Sequence, residues 1–157
     1  MSTTTKMIVV LTVLTMIAGA LLSSWDGITA PKIAAYKLQE LKKAIGEVLP
    51  PYENYEEIQG DGMVLYVGKQ AGDPNPVGIA FRALGSGFQG KISIMVGVTA
   101  DFSQISGIKI LDQIETPGLG TKIIIDPTNK QDPHWFPNQF KGLTIDPKIG
   151  VVKNMEA

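Results

Sequence analysis

The longest apolar run in the chain lies near its N-terminus. From Met7 to Leu22 no charged residue interrupts it; Lys6 precedes it, and Trp25 and Asp26 follow. The run is at the short end of what crosses ~30 Å of hydrocarbon, and Trp suits a membrane interface. This pattern predicts an uncleaved membrane anchor. Ala18-Gly19-Ala20 resembles a signal-peptidase site, so a cleaved signal peptide stays open as the alternative.

A second apolar pattern has helical spacing. Pro31 suits the first turn of a helix, where a missing N–H costs no bond. Apolar residues then recur every three or four positions until Pro50-Pro51, which stops a helix. The pattern predicts an amphipathic helix whose apolar face packs on a core or a docking surface. That face consists of Ala34, Leu38, Leu41, Ile45 and Val48.

Beyond Tyr55 the apolar period becomes that of strands. Met63–Val67 and Val77–Leu84 flank a turn-rich segment and predict a hairpin with a long loop. Lys91–Thr99 is the clearest strand, and Ile105–Leu111 is the next one. The first of these two strands is indicated by alternating apolar residues: Ile92, Ile94, Val96 and Val98.

The C-terminal part is less regular. Thr121–Ile125 is predicted to be a helical turn or a short strand, and Leu143–Val152 has the composition of a strand. The whole chain therefore predicts an α+β fold: a single N-terminal transmembrane helix, an amphipathic helix and a mostly antiparallel sheet. We expect a membrane anchor with its flanks over residues 1–28 and a folded domain over residues 29–157.

Composition narrows the possible functions. The chain has 157 residues, 14 basic and 15 acidic side chains and a net charge of −1, and no basic stripe supports nucleic-acid binding. The absence of cysteine excludes disulfides, thiolate metal sites and Cys nucleophiles. Because His134 is the one histidine, a multi-His metal site is excluded. No Ser/His/Asp arrangement can be argued from the sequence either, and no catalytic residue is assigned.

Two glycine-rich segments border the clearest strands. Gly85–Gly90 reads Gly-Ser-Gly-Phe-Gln-Gly, and Glu115–Lys122 reads Glu-Thr-Pro-Gly-Leu-Gly-Thr-Lys. Taken alone, each is typical of a turn, since glycine and proline mark turns. Their order, with Asn138-Gln139-Phe140-Lys141-Gly142 downstream, changes that interpretation. The set resembles the FMN-binding, G-type subunit of Rnf-type electron transport complexes, whose sister family is the C-type subunit of the sodium-translocating NADH:quinone oxidoreductase.

The resemblance implies a specific function. Members carry FMN, joined by a phosphoester to a threonine hydroxyl by a separate flavin transferase. They are single-pass proteins of the cell membrane, with the flavin domain on the outer face. Together with other membrane subunits they pass electrons in an ion-translocating complex and are not enzymes on their own. The resemblance therefore implies FMN as cofactor, and the lipid bilayer, the other subunits and the transferase as partners.

One departure from the family stands out. The attachment motif of the family, Ser-Gly-Ala-Thr, does not occur in this sequence, and neither Thr99 nor Thr144 matches it. We expect the motif beyond Ala157, which makes the chain look truncated. Two alternatives therefore stay open: a membrane-tethered binding or regulatory domain of the same fold without a covalent flavin, and a fragment that cannot attach one.

The resemblance assigns a cofactor role to nine residues. The simpler interpretation is that these residues only form structural turns. Hydroxyl groups and glycine N–H groups of the second segment would hydrogen-bond the flavin edge, and Phe88 would either stack on the ring or cap the sheet. Lys122 would favour an anionic flavin by its charge, although the simpler expectation is that it is solvated. Trp135, Phe136 and Phe140 are expected to pack in the core, the alternative being that they line a cofactor pocket or face another subunit, and His134 is expected to lie on the surface. The cofactor residues are Phe88, Glu115, Thr116, Pro117, Gly118, Leu119, Gly120, Thr121 and Lys122.

Overall fold

The structure is a computed structural model that describes residues 2–60, 62–146 and 149–150. The chain divides into two compact units, Met1–Glu40 and Leu41–Ala157. The first unit consists of most of a long helix. The second contains the last two turns of that helix, the sheet and the C-terminal segments.

Helix α1 runs without interruption over Thr3–Val48. The predicted helix start at Pro31 is therefore wrong, because this proline lies inside α1. A proline lacks the N–H that would bond the carbonyl four residues earlier, here that of Gly27. The helix nevertheless continues, and helix-favouring residues such as Ala34 follow the proline. The Thr29 hydroxyl donates to the carbonyl of Trp25 at 3.0 Å, which does not replace the lost bond.

The apolar run Met7–Leu22 occupies the N-terminal half of α1, with its side chains exposed all round. The most apolar 18-residue window of the helix has a mean hydropathy of 2.3 and is not buried within the protein. A long helix that is apolar on every face has the length and composition of a membrane span. A signal sequence is also long enough and apolar enough, so the structure does not decide between a membrane anchor and a cleaved signal peptide.

The second unit is built on an antiparallel sheet. Within the described residues its strands are β1 (Asn54–Gln59), β2 (Val64–Lys69), β3 (Pro76–Ser86), β4 (Lys91–Thr99) and β5 (Ile105–Asp112), and each pairs with the next. The predicted hairpin and the two strands after it are confirmed. Strand β1 was not predicted. It is an exposed edge strand of mostly polar residues, so it lacks the apolar alternation of a half-buried strand.

The end of α1 forms the core of this unit with one face of the sheet. Ala44, Ile45 and Val48 pack against a sheet surface that includes Tyr66 and Met95. Only the C-terminal part of the predicted apolar helix face takes part in this packing, since Ala34 and Leu38 are exposed. The part that packs comprises Leu41, Ile45 and Val48.

The helix lies against Gly97 of β4. A β-carbon at Gly97 would overlap the backbone carbonyl of Val48, so this glycine permits the close approach. The buried face of β4 is Ser93, Met95 and Gly97. The alternation of Ile92, Ile94, Val96 and Val98 predicted the strand correctly. The first three residues are only half-buried, whereas Val98 is buried. The deeper face is the one on which Met95 packs in the core and Gly97 admits the helix.

The C-terminal segments are short. Gly120–Ile123 forms a 3-10 turn, as one of the two alternatives predicted, and α2 (Trp135–Asn138) lies beside β5. The predicted strand over 143–152 is reduced in the described residues to an isolated bridge between Thr144 and Gln104. Residues 147, 148, 151 and 152 of that prediction lie outside the described residues.

The aromatic residues near α2 form a cluster of their own. Phe136 makes edge-to-face contacts with Trp135 and Phe140, with ring centroids 5.7 and 5.5 Å apart. The prediction that they pack in the core is wrong, because Trp135 is 40% exposed and the two phenylalanines are half-buried. His134 is exposed, as predicted, and its Nδ1 lies 3.1 Å from the carbonyl of Ile124.

Candidate functional site

The two glycine-rich segments meet at one end of the sheet. Strand β4 lies between β3 and β5, and its first residues pair with the last residues of both neighbours: Lys91 with Ser86, and Ser93 with Asp112. The turn after β3 is closed by a 2.7 Å bond from the Gly87 N–H to the Gly90 carbonyl. Antiparallel pairing therefore brings together two segments that lie some 26 residues apart in sequence.

Glu115 connects the two segments. Its Oε1 accepts a hydrogen bond of 3.1 Å from the backbone N–H of Gln89. The carboxylate lies against Gly87, and the base of the same side chain lies against Gly120, so neither position has room for a β-carbon. Glycines on both sides thus let the Glu115 side chain fit between the segments.

Gln89 adds a second connection. Its side-chain Nε2 donates to the Thr116 hydroxyl oxygen over 2.7 Å. Gln89 therefore contacts the second segment twice, through its main chain at Glu115 and through its side chain at Thr116. The predicted site residues Glu115 and Thr116 are brought together with the turn that carries Phe88.

The backbone between Thr116 and Thr121 folds around one carbonyl. The Thr116 carbonyl accepts from the N–H groups of Leu119, Gly120 and Thr121, at 3.2, 2.9 and 3.3 Å. Gly118 has a φ of +76°, a conformation that favours glycine, and its N–H donates to the Thr121 hydroxyl oxygen at 2.9 Å.

These bonds correct one expectation about the donors. The glycine N–H groups were expected to face a cofactor, but those of Gly118 and Gly120 already donate within the segment. The hydroxyls of Thr116 and Thr121 each accept one hydrogen bond, and each keeps its own hydrogen to donate. The hydroxyl groups are therefore the better candidates for ligand donors.

Large apolar side chains surround this polar framework. Phe88 is 95% exposed, and Leu119 and Ile114 are 72% and 64% exposed. Pro117 is also exposed. Phe88 does not cap the sheet, so the structural role considered for it is wrong. A group of exposed apolar side chains beside a polar loop is typical of a surface that binds a ligand or a partner.

Lys122 is half-buried, which differs from the solvated state expected for it. Its ammonium group lies 3.4 Å from an Asp126 carboxylate oxygen and 3.1 Å from the Thr128 hydroxyl. Hydrogen bonds from Thr128, helped by Lys122, hold the pKa of Asp126 below its ordinary value. Asp126 thus compensates the charge of Lys122. Among the described residues, no group of three His, Asp or Glu side chains could hold a metal ion.

Sequence reasoning did not single out three residues of this framework. Gln89 holds both Glu115 and Thr116, Gln113 accepts from the backbone N–H of Glu115 through Oε1, and Asp126 pairs with Lys122. Gln89 lies inside the first glycine-rich segment, and a polar residue next to glycine was the available signal. The other two contacts depend on loop geometry that carries no local pattern.

Comparisons with known proteins give the family. Residues 87–154 match the FMN-binding domain family, a range that begins at the Gly87 of the site and contains Phe88, Gln89 and the whole second segment. The G-type subunit of the ion-translocating oxidoreductase complex of Methanosarcina acetivorans is 33% identical over 76% of this chain and 67% of its own length. The chain belongs to the G-type subunit family of ion-translocating oxidoreductase complexes. The resemblance in the sequence is thereby confirmed.

Other members of this G-type family agree. The protein of the same name from Aliivibrio fischeri strain ES114 is 28% identical over 96% of this chain and 87% of its own length. The G-type subunit of the Na(+)-translocating ferredoxin:NAD(+) oxidoreductase complex of Acetobacterium woodii is 31% identical over 74% of this chain and 63% of its own. The long apolar helix followed by an antiparallel sheet fits the fold that membership of the family implies.

Proposed function

We propose that this chain is an FMN-carrying electron-transfer subunit of a membrane-bound, ion-translocating oxidoreductase complex. The observation that carries the proposal is the joining of the two glycine-rich segments by Glu115 and Gln89, inside the range that matches the FMN-binding domain. The names of the G-type relatives support the assignment to such a complex.

The residues present fit a flavin. An isoalloxazine ring has two apolar faces and a polar edge, and the site offers both kinds of partner. Phe88 and Leu119 supply exposed apolar surface, and the hydroxyls of Thr116 and Thr121 supply donors. Lys122 is compensated by Asp126. Because this charge is already compensated, we assign Lys122 no role in holding the FMN phosphate.

Bound FMN would supply one- and two-electron redox chemistry, and the chain would supply its orientation and surroundings. Glu115 and Gln89 would keep the two segments at a fixed separation. The threonine hydroxyls would hydrogen-bond the flavin edge, where donors are more effective when the acceptor carries negative charge. Phe88 and Leu119 would exclude water from the ring faces.

The finer parts of the proposal concern the membrane and the partners. Residues 1–28 would anchor the chain, and the domain from residue 29 would face the outer side, in keeping with Lys6 before the apolar run. A flavin transferase would join FMN to a threonine hydroxyl through a phosphoester bond. The partners would be the other membrane subunits of the complex.

Flavin attachment is tested with the product of the whole reading frame that contains this sequence. It is produced in cells with and without a flavin transferase, purified in detergent, and examined by intact mass and visible absorbance. We expect a mass increase of one FMN and flavin absorbance only with the transferase. Neither signal in the presence of an active transferase would contradict the proposal and favour a domain without a covalent flavin.

Orientation has a separate test, which the lack of cysteine makes simple. Single cysteines replace exposed Thr5 in the N-terminal segment and exposed Gln59 at the end of β1. A membrane-impermeant maleimide added to intact cells should label Gln59→Cys and leave Thr5→Cys unlabelled until the membrane is opened. The reverse pattern would place the domain on the cytoplasmic side.

A further inference from the structure

The Thr116 hydroxyl has one strong partner in the structure, the side-chain amide of Gln89. The Gln89 Nε2 donates to Thr116 Oγ1 over 2.7 Å, and an NH₂ group can only donate. The hydroxyl oxygen therefore acts as an acceptor in this bond, and its own hydrogen must point elsewhere. Gln89 thus fixes the direction in which Thr116 can donate.

The main chain of Gln89 is held independently of this side chain. Its N–H donates to Glu115 Oε1 at 3.1 Å, and the adjacent turn is closed between Gly87 and Gly90. A change of the Gln89 side chain therefore leaves the main-chain connection between the two segments in place. A substitution of the Gln89 side chain therefore tests its contact with the Thr116 hydroxyl alone.

We propose that Gln89 is a positioning residue that makes the Thr116 hydroxyl a hydrogen-bond donor to the polar edge of the flavin. This inference rests on the proposed function, since it names how one bond within that site is oriented. Donors to an edge that gains negative charge on reduction bind the reduced form better than the oxidised form. Gln89 would therefore raise the redox potential of the flavin without touching it.

The substitution Gln89→Glu reverses the polarity of this contact. A carboxylate cannot donate, so it would accept the Thr116 hydrogen and withdraw it from the flavin. The two segments would still be joined by a hydrogen bond of similar length. A residue that only held the segments together would tolerate this change, whereas a positioning residue would not.

The experiment measures the flavin midpoint potential of the holoprotein, made from the whole reading frame and loaded with FMN. For Gln89→Glu we expect the ratio of reduced to oxidised flavin at a fixed potential to fall by roughly fivefold, as for the loss of one hydrogen bond. Gln59→Glu is the matched control: it makes the same charge change on exposed β1, the strand at the other edge of the sheet from β5, and should leave the ratio unchanged.

Variants of Thr116 distinguish the effect of the hydroxyl group on the flavin potential from the effect of the added charge. Thr116→Val should lower the ratio by itself, and Thr116→Ser should restore it because the hydroxyl returns. Gln89→Glu added to Thr116→Val should have no further effect if the hydroxyl transmits the change. A further fall of the same size in the double variant would show a plain charge effect and overturn the inference.

The remaining outcomes are also decisive. A wild-type chain that takes up no FMN overturns the proposed function together with this inference. A wild-type chain that binds FMN, with a Gln89→Glu potential equal to its own, overturns the inference and leaves the proposed function standing. Should Gln89→Glu fail to fold, Gln89→Leu carries the test, because it also removes the donor to Thr116, and an unchanged potential there overturns the inference.

Discussion

Glycine permits a close approach in two regions of the folded unit, and the regions differ in what approaches. At Gly97 it is the main chain of Val48, at the end of α1. At Gly87 and Gly120 it is the side chain of Glu115. The first region is buried in the core, whereas the second is bordered by exposed apolar residues such as Phe88.

The difference indicates what each region can tolerate. A carbonyl on a helix cannot move without moving the helix, so the contact at Gly97 is rigid. The Glu115 carboxylate has rotatable bonds behind it and can move away from Gly87, so that contact is adjustable. Gly120 lies against the Glu115 β-carbon, which moves only with the backbone of the exposed loop. We therefore expect changes in the core region to reduce stability, and changes in the loop region to reduce ligand binding first.

The largest effect is expected for Gly97→Ala. Its β-carbon would overlap the Val48 carbonyl and push the helix from the sheet, and the free energy of unfolding should fall by about 3 kcal/mol. Denaturant unfolding of the full chain in detergent measures it. Gly85→Ala is the control, because that position on β3 faces open space. Equal stability of the two variants would show that the helix is not tightly seated.

Gly120→Val should act mainly on the ligand. The new β-carbon would overlap the Glu115 β-carbon and shift the loop backbone, and we expect a stability loss of about 2 kcal/mol, with a clear reduction in FMN content or a shift in its potential. Gly118→Val, at a φ of +76°, strains the backbone without an overlap. Both variants should keep their helix and strand signals by circular dichroism. Unchanged redox titrations in both would exclude the loop from the site.

Lowering the pH should destabilise the loop region, because it protonates Asp126. Because Thr128 holds its folded pKa below the ordinary value, the stability it contributes is present above the unfolded pKa of about 3.9. That contribution is lost as the pH falls through the folded pKa. Asp126→Asn should therefore reduce the acid sensitivity of the unfolding midpoint between about pH 7 and 2.

The wild-type chain has other acid-sensitive groups, so the result of the pH experiment is the difference between the pH profiles of wild type and Asp126→Asn. Hydrogen bonds from Lys69 and Thr99 likewise hold the pKa values of Glu56 and Asp101 below their usual range, and these contributions persist in the variant. Parallel pH profiles of wild type and Asp126→Asn would show that the Asp126 carboxylate does not stabilise the folded loop.

The smallest effect on stability is expected for the ion pair between the end of α1 and β5. Glu47 on α1 and Lys109 on β5 form an ion pair of 2.8 Å, and the Glu47 side chain is 48% exposed. Partly exposed pairs contribute little, so Glu47→Gln should cost about 0.5 kcal/mol or less. Glu40→Gln, an exposed change on the same helix, is the control. A loss above about 2 kcal/mol would mean that this pair fixes the helix far more firmly than a surface ion pair does.

Local patterns predicted the elements but not their contacts. The alternation in Lys91–Thr99 identified β4, because a strand with apolar faces repeats every second residue. It could not show that the face with Met95 and Gly97 is the deeper one, since that depends on where α1 packs. The prediction at Pro31 was wrong because a proline signal is local, while helix continuity depends on the bonds of neighbouring turns.

The site shows the same limit. The Glu115–Lys122 segment was recognisable from its glycines and proline, and Gly118 does take a left-handed conformation. The bond between Gln89 and Thr116 joins residues 27 apart, and only the pairing of β3, β4 and β5 brings them together. A single sequence gives no signal for such a contact.

The packing of α1 against the sheet affects the order in which the contacts of the chain form during folding. Each strand pairs with its neighbour in sequence, so the sheet can grow one hairpin at a time. By contrast, the Ser106 hydroxyl donates to the Val48 carbonyl across 58 residues. Contacts between distant residues form late, because the intervening loop must first be closed. We therefore expect the helix end, though synthesised first, to wait for β2, β3 and β4 before its apolar residues are covered, and for β5 before the Val48 carbonyl gains its partner.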